Sequence, residues 1–230
     1  MFTLSPQDVT ALWVTFKLAV VSTSLLLVLC APLAWWFAHT QWRGKVVLEA
    51  LVMLPLVLPP TVLGFYLLLL LGPRGWVGGT LESMGFNHLA FSFPGLVIGS
   101  MIYSLPFVMQ PLTNAFAATG QRVLEIAATL RATPLDQFFS VVLPLARRGF
   151  LTAAVLSFAH TLGEFGVIIM VGGNIPGQTQ VASIAIYDHV EAMDYASAHT
   201  LALILVVLSF LLLLLVYALN RKFKVVAIAS

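Results

Sequence analysis

Charged residues are scarce in this chain, and their scarcity excludes most soluble folds. Asp, Glu, Lys and Arg make up 9% of its 230 residues, whereas hydrophobic residues make up 60%. A soluble domain carries roughly 25% charged residues, because its surface faces water. Stretches such as 201–216 are apolar on every side, which is typical of helices that face lipid. We therefore expect an integral membrane protein without a separate soluble catalytic domain.

Several other features are also missing. The chain has one cysteine, Cys30, so it cannot build a disulfide framework. It has no G-x-x-x-x-G-K-[ST] motif, so it cannot hold ATP phosphates by that loop, and any ATPase has to be a partner. His160 and Glu164 lie four residues apart but lack a third ligand and the H-E-x-x-H pattern. We expect no metal, no cofactor and no nucleic-acid partner.

Five apolar segments are each long enough to cross a bilayer, which takes about 20 residues. They cover approximately residues 9–38, 47–71, 92–117, 148–171 and 197–220. Unbroken apolar runs predict helices, because a helix satisfies its own backbone groups in lipid. The N-terminus lacks the positive region of a signal peptide, so the first run is interpreted as a retained span. The expected fold is one all-α transmembrane domain over 1–230.

The positive charges indicate an orientation. Lys17 lies inside the first span and Arg74 in the loop after the second. The other nine Lys and Arg residues fall on one side: Arg43, Lys45, Arg122, Arg131, Arg147, Arg148, Arg221, Lys222 and Lys224. Cytoplasmic loops carry an excess of Lys and Arg. We therefore predict that the N-terminus faces out and the C-terminus faces the cytoplasm.

The cytoplasmic segment 118–147 has the pattern of two short amphipathic helices. Apolar residues recur at helical spacing from Val123 to Leu130 and again from Leu135 to Val142. Thr133, with Pro134 after it and Asp136 at the third helical position, predicts the start of the second helix. Two interpretations stay open: a docking segment for a partner, or helices that lie on the bilayer surface.

The same segment resembles the signature of permease subunits of bacterial ABC importers, E-A-A, three residues, Gly, nine residues, I-x-L-P. Here the matching residues are Glu125-Ile126-Ala127, Arg131 and Val141-Val142-Leu143-Pro144. The resemblance implies a type I importer fold and an ATPase contact through Glu125, Ile126, Ala127, Arg131, Pro134, Leu143 and Pro144. Arg131 stands where the signature has Gly, which favours a left-handed turn. Either the turn moves to Ala132–Pro134, or the coupling geometry differs.

Four further stretches resemble the molybdate branch of these permeases, to which tungstate and sulfate permeases are related. They are Leu54–Phe65, Gly72–Gly75, Leu162–Gly166 and Gly173–Gly177. The resemblance implies an inner-membrane homodimer that imports molybdate with an ATP-binding subunit and a periplasmic molybdate-binding protein. Two rival functions are an intramembrane hydrolase, with a serine and His160 as a dyad, and a non-transporting membrane anchor. No G-x-S-x-G element supports the hydrolase.

An anion needs a polar lining to cross lipid, and neutral donors would pass a divalent oxyanion without trapping it. The candidate lining residues are Pro59, Pro60, Ser100, Tyr103, Ser104, Gln110, Asn114, Ser157 and Thr161. The alternative for the polar ones is ordinary hydrogen bonding between helices. For Pro59 and Pro60 the alternative is a simple helix kink.

Two charges fall inside predicted spans, where charged residues usually pair. Lys17 and Glu164 lie at similar depths, because the first and fourth spans run in opposite directions, which predicts a salt bridge between them. The alternatives are that Lys17 reaches the headgroups and that Glu164 pairs with His160. A second group of charges lies in the outer loop: Asp188, His189, Glu191, Asp194 and His199. That group is either a solvated rim or a docking surface for the binding protein.

Overall fold

The computed structural model describes residues 4–223, all of whose regular elements are helices. Lys224 of the basic tail lies outside the described residues. The helices are α1 (Pro6–His39), α2 (Lys45–Val57), α3 (Pro60–Leu71), α4 (Trp76–Ser83), α5 (Phe93–Thr119), α6 (Gln121–Thr129), α7 (Pro134–Gln137), α8 (Leu143–Leu162), α9 (Gly166–Gly172), α10 (Ala182–Glu191) and α11 (Tyr195–Phe223). A π-helical turn, Phe138–Val142, joins α7 to α8.

Five helical stretches in the described part of the chain are long and apolar enough to cross a membrane. They are Pro6–His39, Pro60–Ser83, Phe93–Thr119, Pro134–Leu162 and Tyr195–Ala218. The predicted all-α membrane fold with five spans is therefore confirmed. The first, third and fifth stretches match the predicted spans closely, whereas the second and fourth predicted spans are broken.

The second predicted span, 47–71, consists of two helices. The Leu58 amide makes the last bond of α2, to the Leu54 carbonyl, and α3 begins at Pro60. Pro59 and Pro60 have no amide hydrogen, so a continuous helix would lose two backbone hydrogen bonds here. Pro60 instead occupies the first position of α3, which needs no donor.

The fourth predicted span, 148–171, was wrong as a single helix. Helix α8 ends at Leu162, three residues of other conformation follow, and α9 begins at Gly166. Two glycines lie at this break, Gly163 and Gly166, and glycine disfavours a helix interior by about 1 kcal/mol. His160 and Glu164 therefore do not lie on one face of a continuous helix.

The two breaks lie beside each other in space. A Cβ on Gly166 would stand 2.6 Å from the Pro60 Cβ, which is closer than carbon atoms pack. Only glycine lets the start of α9 approach the start of α3 this closely. Helices α3 and α9 thus form a packed pair in the half of the bundle farther from α6.

The core lies where α1 and α8 pack on α5. One cluster of buried residues, with Leu26, Phe37, Leu112 and Phe116, fills the half that ends at His39 and Thr119. A second cluster, with Leu18, Leu96 and Ile168, fills the half near α10. Since α6 directly follows α5, the segment 118–147 lies at the first of these two ends.

Candidate functional site

The C-terminus of α6 ends in a tight turn at Arg131. The Ala132 amide donates to the Ala127 carbonyl at 3.2 Å, and the Arg131 amide donates to the Ala128 carbonyl at 3.0 Å. This pair of bonds defines a Schellman motif, whose left-handed residue is usually glycine. Arg131 takes that conformation itself, with a φ of 62°. The turn has therefore not moved to Ala132–Pro134.

The predicted start of the second short helix is confirmed. The Thr133 hydroxyl accepts a bond from the Asp136 amide, and the Asp136 carboxylate accepts one from the Thr133 amide. Pro134 occupies the first helical position. From α7 the chain continues through the π-helical turn directly into α8. Leu143 and Pro144 begin α8, so α7 is connected to the bundle by continuous helical structure.

The segment 118–147 presents an apolar surface outward. The exposed fractions are 55% for Ile126, 78% for Leu130, 71% for Leu135 and 62% for Phe139. These four residues are named the coupling surface below. Glu125 is also exposed. Exposed apolar side chains in such numbers mark a surface that contacts either a partner protein or the bilayer.

The opposite face of this segment anchors it to the bundle. Val142 and Ala146 are buried in the same cluster as Phe37 and Phe116. The Phe138 ring meets the Trp35 ring edge-on, with ring centroids 6.2 Å apart. The segment is therefore packed against α1 and α5.

Four of the predicted lining residues are buried hydrogen-bonding groups. The Ser100 hydroxyl donates to Glu164 Oε2 at 2.8 Å and lies 3.2 Å from the Thr161 hydroxyl, which in turn lies 3.2 Å from that of Ser104. Ser157 accepts a bond from Thr23 of α1. The four candidates are at most 2% exposed. In this conformation they form hydrogen bonds between helices, which is the alternative to a role in the pathway lining.

The other predicted lining residues lie at or near the surface. Pro59 and Gln110 are exposed, and Pro60 and Tyr103 are half-buried. The ring of Tyr103 packs on that of His160, with ring centroids 4.7 Å apart. These four residues are therefore not buried in the interior of the described part of the chain.

The predicted salt bridge between Lys17 and Glu164 was wrong. Lys17 Nζ lies over the Phe93 ring, 4.5 Å from its centroid, at the N-terminal end of α5. Glu164 faces α5, where Ser100 binds one carboxylate oxygen and the other has no hydrogen-bond partner among the described residues. The prediction assumed a continuous helix through Glu164, and the break after Leu162 turns that residue away. The alternative pairing with His160 does not occur in residues 4–223 either.

A serine and His160 do contact each other, as the hydrolase alternative requires. The Ser104 hydroxyl lies 2.9 Å from His160 Nδ1. Ser104 is 0% exposed, however, so a substrate carbonyl has no access to it. Among the described residues no carboxylate bonds to His160 to orient it. The contact is one more bond between α5 and α8.

The outer-loop acids are largely engaged within the chain. His189 Nε2 lies 2.8 Å from Asp8 Oδ1, and its Nδ1 lies 3.7 Å from Asp194 Oδ2. Asp188 accepts bonds from the side-chain amides of Asn174 and Gln180. Hydrogen bonds from Ser197 hold the pKa of the Asp194 carboxyl below its usual range. These contacts tie the loop and α10 to the start of α1. The sequence analysis missed Asp8, although Ser5 and Asp8 have the same capping spacing as Thr133 and Asp136.

A cleft of about 600 Å³ opens between α5, α8 and α11. Its lining residues are Gln110, Pro111, Asn114, Arg148, Gly149, Thr152 and Tyr217. The sequence analysis missed Arg148, Thr152 and Tyr217 as candidates. The spacing held a signal, since Gln110 and Asn114, and likewise Arg148 and Thr152, are four apart and share helix faces.

The family match and the fold together define a class: the membrane-embedded permease subunit of an ABC importer. The chain belongs to the family of binding-protein-dependent transport system inner membrane components, which matches residues 31–225. It is therefore a multi-pass inner-membrane protein, and ATP hydrolysis belongs to separate subunits. A periplasmic binding protein and an ATPase are its partners by family.

Among known proteins, the chain is 57% identical over 221 residues to the molybdenum transport system permease protein ModB of Azotobacter vinelandii, covering 96% of this chain and 97% of that one. It is 32% identical to the sulfate transport system permease protein CysT of Salmonella typhimurium, covering 95% of this chain and 79% of that one. A bacterial ABC transporter that imports the acidic polysaccharide alginate has the same fold, with a TM-score of 0.77 at 18% identity, covering 95% of this chain and 80% of that one.

Proposed function

We propose that this chain forms the transmembrane pathway of a molybdate importer. The observation that carries the proposal is its 57% identity to the molybdenum permease over nearly the full length of both chains. The identity to the sulfate permease is far lower. Tungstate remains an alternative substrate, because both anions are tetrahedral dianions and a lining of neutral donors distinguishes them poorly.

The proposal places two copies of the chain around the pathway. Four of the polar candidates are buried and hydrogen-bonded inside one copy. The pathway then lies between the two copies, where the accessible surface of three other candidates would face the second copy. These candidates are Pro59, Tyr103 and Gln110. A homodimer also provides two coupling surfaces for two ATPase subunits.

The proposed orientation has the N-terminus outside and the coupling surface in the cytoplasm. The basic residues Arg43, Lys45, Arg131, Arg147 and Arg148 all lie at the end of the bundle that carries the coupling surface. An excess of Lys and Arg marks the cytoplasmic side. The acids of the outer loop lie at the other end, where the binding protein would dock.

The proposed coupling contact uses Glu125 and the coupling surface. Four apolar side chains more than half exposed would be costly in water, and an ATPase groove would cover them. The other predicted coupling residues set the backbone path of the segment and are not part of the coupling surface. They are Arg131, Pro134, Leu143 and Pro144. ATPase closure would then move α7, and α7 would move α8.

Molybdate uptake in a strain that lacks this chain tests the proposed function. Uptake of radioactive molybdate at trace concentration should be lost, and plasmid-borne expression of the chain should restore it. Excess tungstate should compete with molybdate, whereas excess sulfate should compete poorly. Unchanged molybdate uptake, or a loss of sulfate uptake alone, would assign the chain to another substrate.

A further inference from the structure

The carboxyl group of Glu164 is buried at the break between α8 and α9, and no opposite charge reaches it. The residue is 4% exposed, and no ion pair involves it among residues 4–223. Helices α3, α5 and α9 all pack at this break and carry no charged residue along their lengths. Their titratable side chains are two phenols, Tyr66 and Tyr103. Because an ionised carboxylate without a partner is strongly unfavourable in such a place, the group is suited to hold a proton.

Charged groups on the other neighbouring helices are engaged elsewhere. Lys17 of α1 lies over the Phe93 ring, and Asp8 of α1 pairs with His189. The arginines of α8 lie near its first residue, about four turns before the break. Each titratable side chain of α10 has a partner other than Glu164: Tyr187, Asp188, His189 and Glu191. In the part of the chain that the structure describes, none of these groups is therefore a counter-ion for Glu164.

A chain of hydrogen bonds leads from Glu164 to His160. The Ser100 hydroxyl donates to Glu164 Oε2 at 2.8 Å and lies 3.2 Å from the Thr161 hydroxyl. The Ser104 hydroxyl lies 3.2 Å from the Thr161 hydroxyl and 2.9 Å from His160 Nδ1. Glu164 is buried, whereas His160 is half-buried. The three hydroxyls therefore connect a buried carboxyl group to an imidazole nearer the surface.

This chain is complete in either direction, because each hydroxyl donates one hydrogen bond and can accept another. In one direction the Nδ1–H of His160 donates at one end, and the Glu164 carboxylate accepts at the other. In the reverse direction the Glu164 carboxyl group donates, and a neutral Nδ1 accepts. Passing from the reverse to the first direction moves one proton from the carboxyl group to the imidazole. Each hydroxyl gives up one proton and receives one, so the total charge is unchanged.

The burial of this carboxyl group depends on how the break packs on α5. Gly163 and Gly166 lie on either side of Glu164 and make the backbone of the break easier to rotate. The carbonyl of Glu164 accepts a 2.6 Å hydrogen bond from the Ser183 hydroxyl of α10. A movement of the break away from α5 would bring the carboxyl group to water, which stabilises its ionised form. Proton binding and the packing of the break on α5 are therefore linked.

We propose that Glu164 is a proton-binding site, occupied while the break packs on α5, and that the hydroxyl chain to His160 is the route of the proton. Carboxyl and imidazole groups linked in this way inside a membrane protein form proton relays. The ligand is a proton and not a metal ion, because the described residues place no group of three acidic, histidine or cysteine ligands together. The site goes beyond the proposed function and does not depend on which anion the chain carries.

Infrared spectroscopy of the purified full chain in nanodiscs at neutral pH tests whether the proton is bound. A protonated carboxyl group has a carbonyl stretch that is separate from the bands of carboxylates. We expect such a band in the unmodified chain and its loss in Glu164→Gln. Glu82→Gln is the matched control, because Glu82 is an exposed carboxyl group on α4 and should leave the band unchanged. A spectrum that Glu164→Gln does not alter in this region would show that Glu164 is ionised and would overturn the proposal.

Transfer of the chain into deuterated buffer tests the route, because the carbonyl stretch shifts when deuterium replaces the bound proton. Ser104→Ala interrupts the chain between Thr161 and His160 and should slow this shift several-fold while the band itself remains. Ser157→Ala is the matched control: Ser157 is another buried serine, and it bonds to Thr23 outside the chain. Its shift should keep the rate of the unmodified chain. Equal rates in all three proteins would assign the proton another route and overturn that part of the proposal.

A second variant keeps the test decisive if Glu164→Gln does not fold. Ser100→Ala removes the hydrogen bond to Glu164 Oε2, so the carbonyl stretch of a protonated Glu164 should move to higher frequency. A band that stays in place in Ser100→Ala would belong to another group and would overturn the assignment. These spectra report protonation whether or not the chain carries molybdate. Failure of the proton site therefore leaves the proposed function standing, and loss of the proposed function leaves the proton site standing.

Discussion

The hydroxyl of Ser100 donates a 2.8 Å hydrogen bond to Glu164 Oε2, which joins α5 to the break between α8 and α9. The other carboxylate oxygen is buried without a hydrogen-bond partner among the described residues. No ion pair involves Glu164 within residues 4–223. A buried charge without a partner is strongly unfavourable. The contact therefore depends on an acceptor oxygen at this position and not on a negative charge.

Glu164→Gln should consequently be tolerated. The glutamine carbonyl can accept the same bond from Ser100, so the thermal unfolding temperature of the purified chain should change little. Glu164→Lys replaces the acceptor with a buried cation and should destabilise the chain by about 3 kcal/mol or more. Differential scanning fluorimetry in detergent measures both variants against the unmodified chain.

The double variant Lys17→Glu, Glu164→Lys provides the control for this assignment. The ammonium of Lys17 packs over Phe93, so reversing its charge gives the lysine introduced by Glu164→Lys no partner. The double variant should be no more stable than Glu164→Lys alone. Recovery of stability would show that the two side chains do pair, against the geometry of the break.

The sequence predicts those features that depend on local pattern. The capping box of Thr133 and Asp136 is set by residues three apart, and the five apolar segments by composition over about 20 residues. The break in the second span lies at two adjacent prolines, which have no amide hydrogen to donate. Each of these signals is contained within one stretch of chain, so no knowledge of packing is needed to read it.

The errors arise where the outcome depends on packing. Gly163 and Gly166 permit a helix break without requiring one, and the close approach of Gly166 to Pro60 exists only in the folded bundle. Because of that break, Glu164 accepts a hydrogen bond from Ser100. Lys17, its predicted partner, packs over the Phe93 ring instead. The left-handed conformation of Arg131 was also hidden, since arginine gives no local signal for it.

The orientation predicts which positions an impermeant thiol reagent reaches in intact spheroplasts. Thr80 and Met193 lie at the end opposite the coupling surface, so cysteines there should label from outside. A cysteine at Thr129 of α6 should label only after the membrane is opened. Cys30 is buried in α1 and is first replaced with alanine. Labelling of position 129 in sealed spheroplasts would reverse the orientation.

Charge reversal at the coupling end should uncouple the ATPase. Glu125→Lys reverses a charge where the ATPase would dock, and a like-charge clash across an interface costs several kcal/mol. We expect normal membrane insertion, loss of the co-purified ATPase subunit and loss of molybdate uptake. Glu82→Lys, an exposed reversal on α4 at the other end, is the control and should retain the ATPase. Equal loss in both variants would point to a general effect of charge and not to docking.

Arg131→Gly tests whether the turn after α6 is strained. A residue with a Cβ pays about 1–2 kcal/mol for the left-handed conformation, and glycine does not. The Schellman bonds to Ala127 and Ala128 use only backbone atoms, so glycine keeps them. We expect slower amide hydrogen exchange in 121–137 and unchanged or improved ATPase coupling.

Arg131→Ala separates strain from charge, because alanine removes the guanidinium but keeps the Cβ. If strain dominates, the alanine variant exchanges its amides as fast as the unmodified chain, and only glycine slows the exchange. If both variants lose ATPase coupling equally, the guanidinium itself contacts the partner and the turn geometry is secondary. Faster exchange in the glycine variant than in the alanine variant would contradict the strain argument, because glycine would then have cost more backbone entropy than the turn releases.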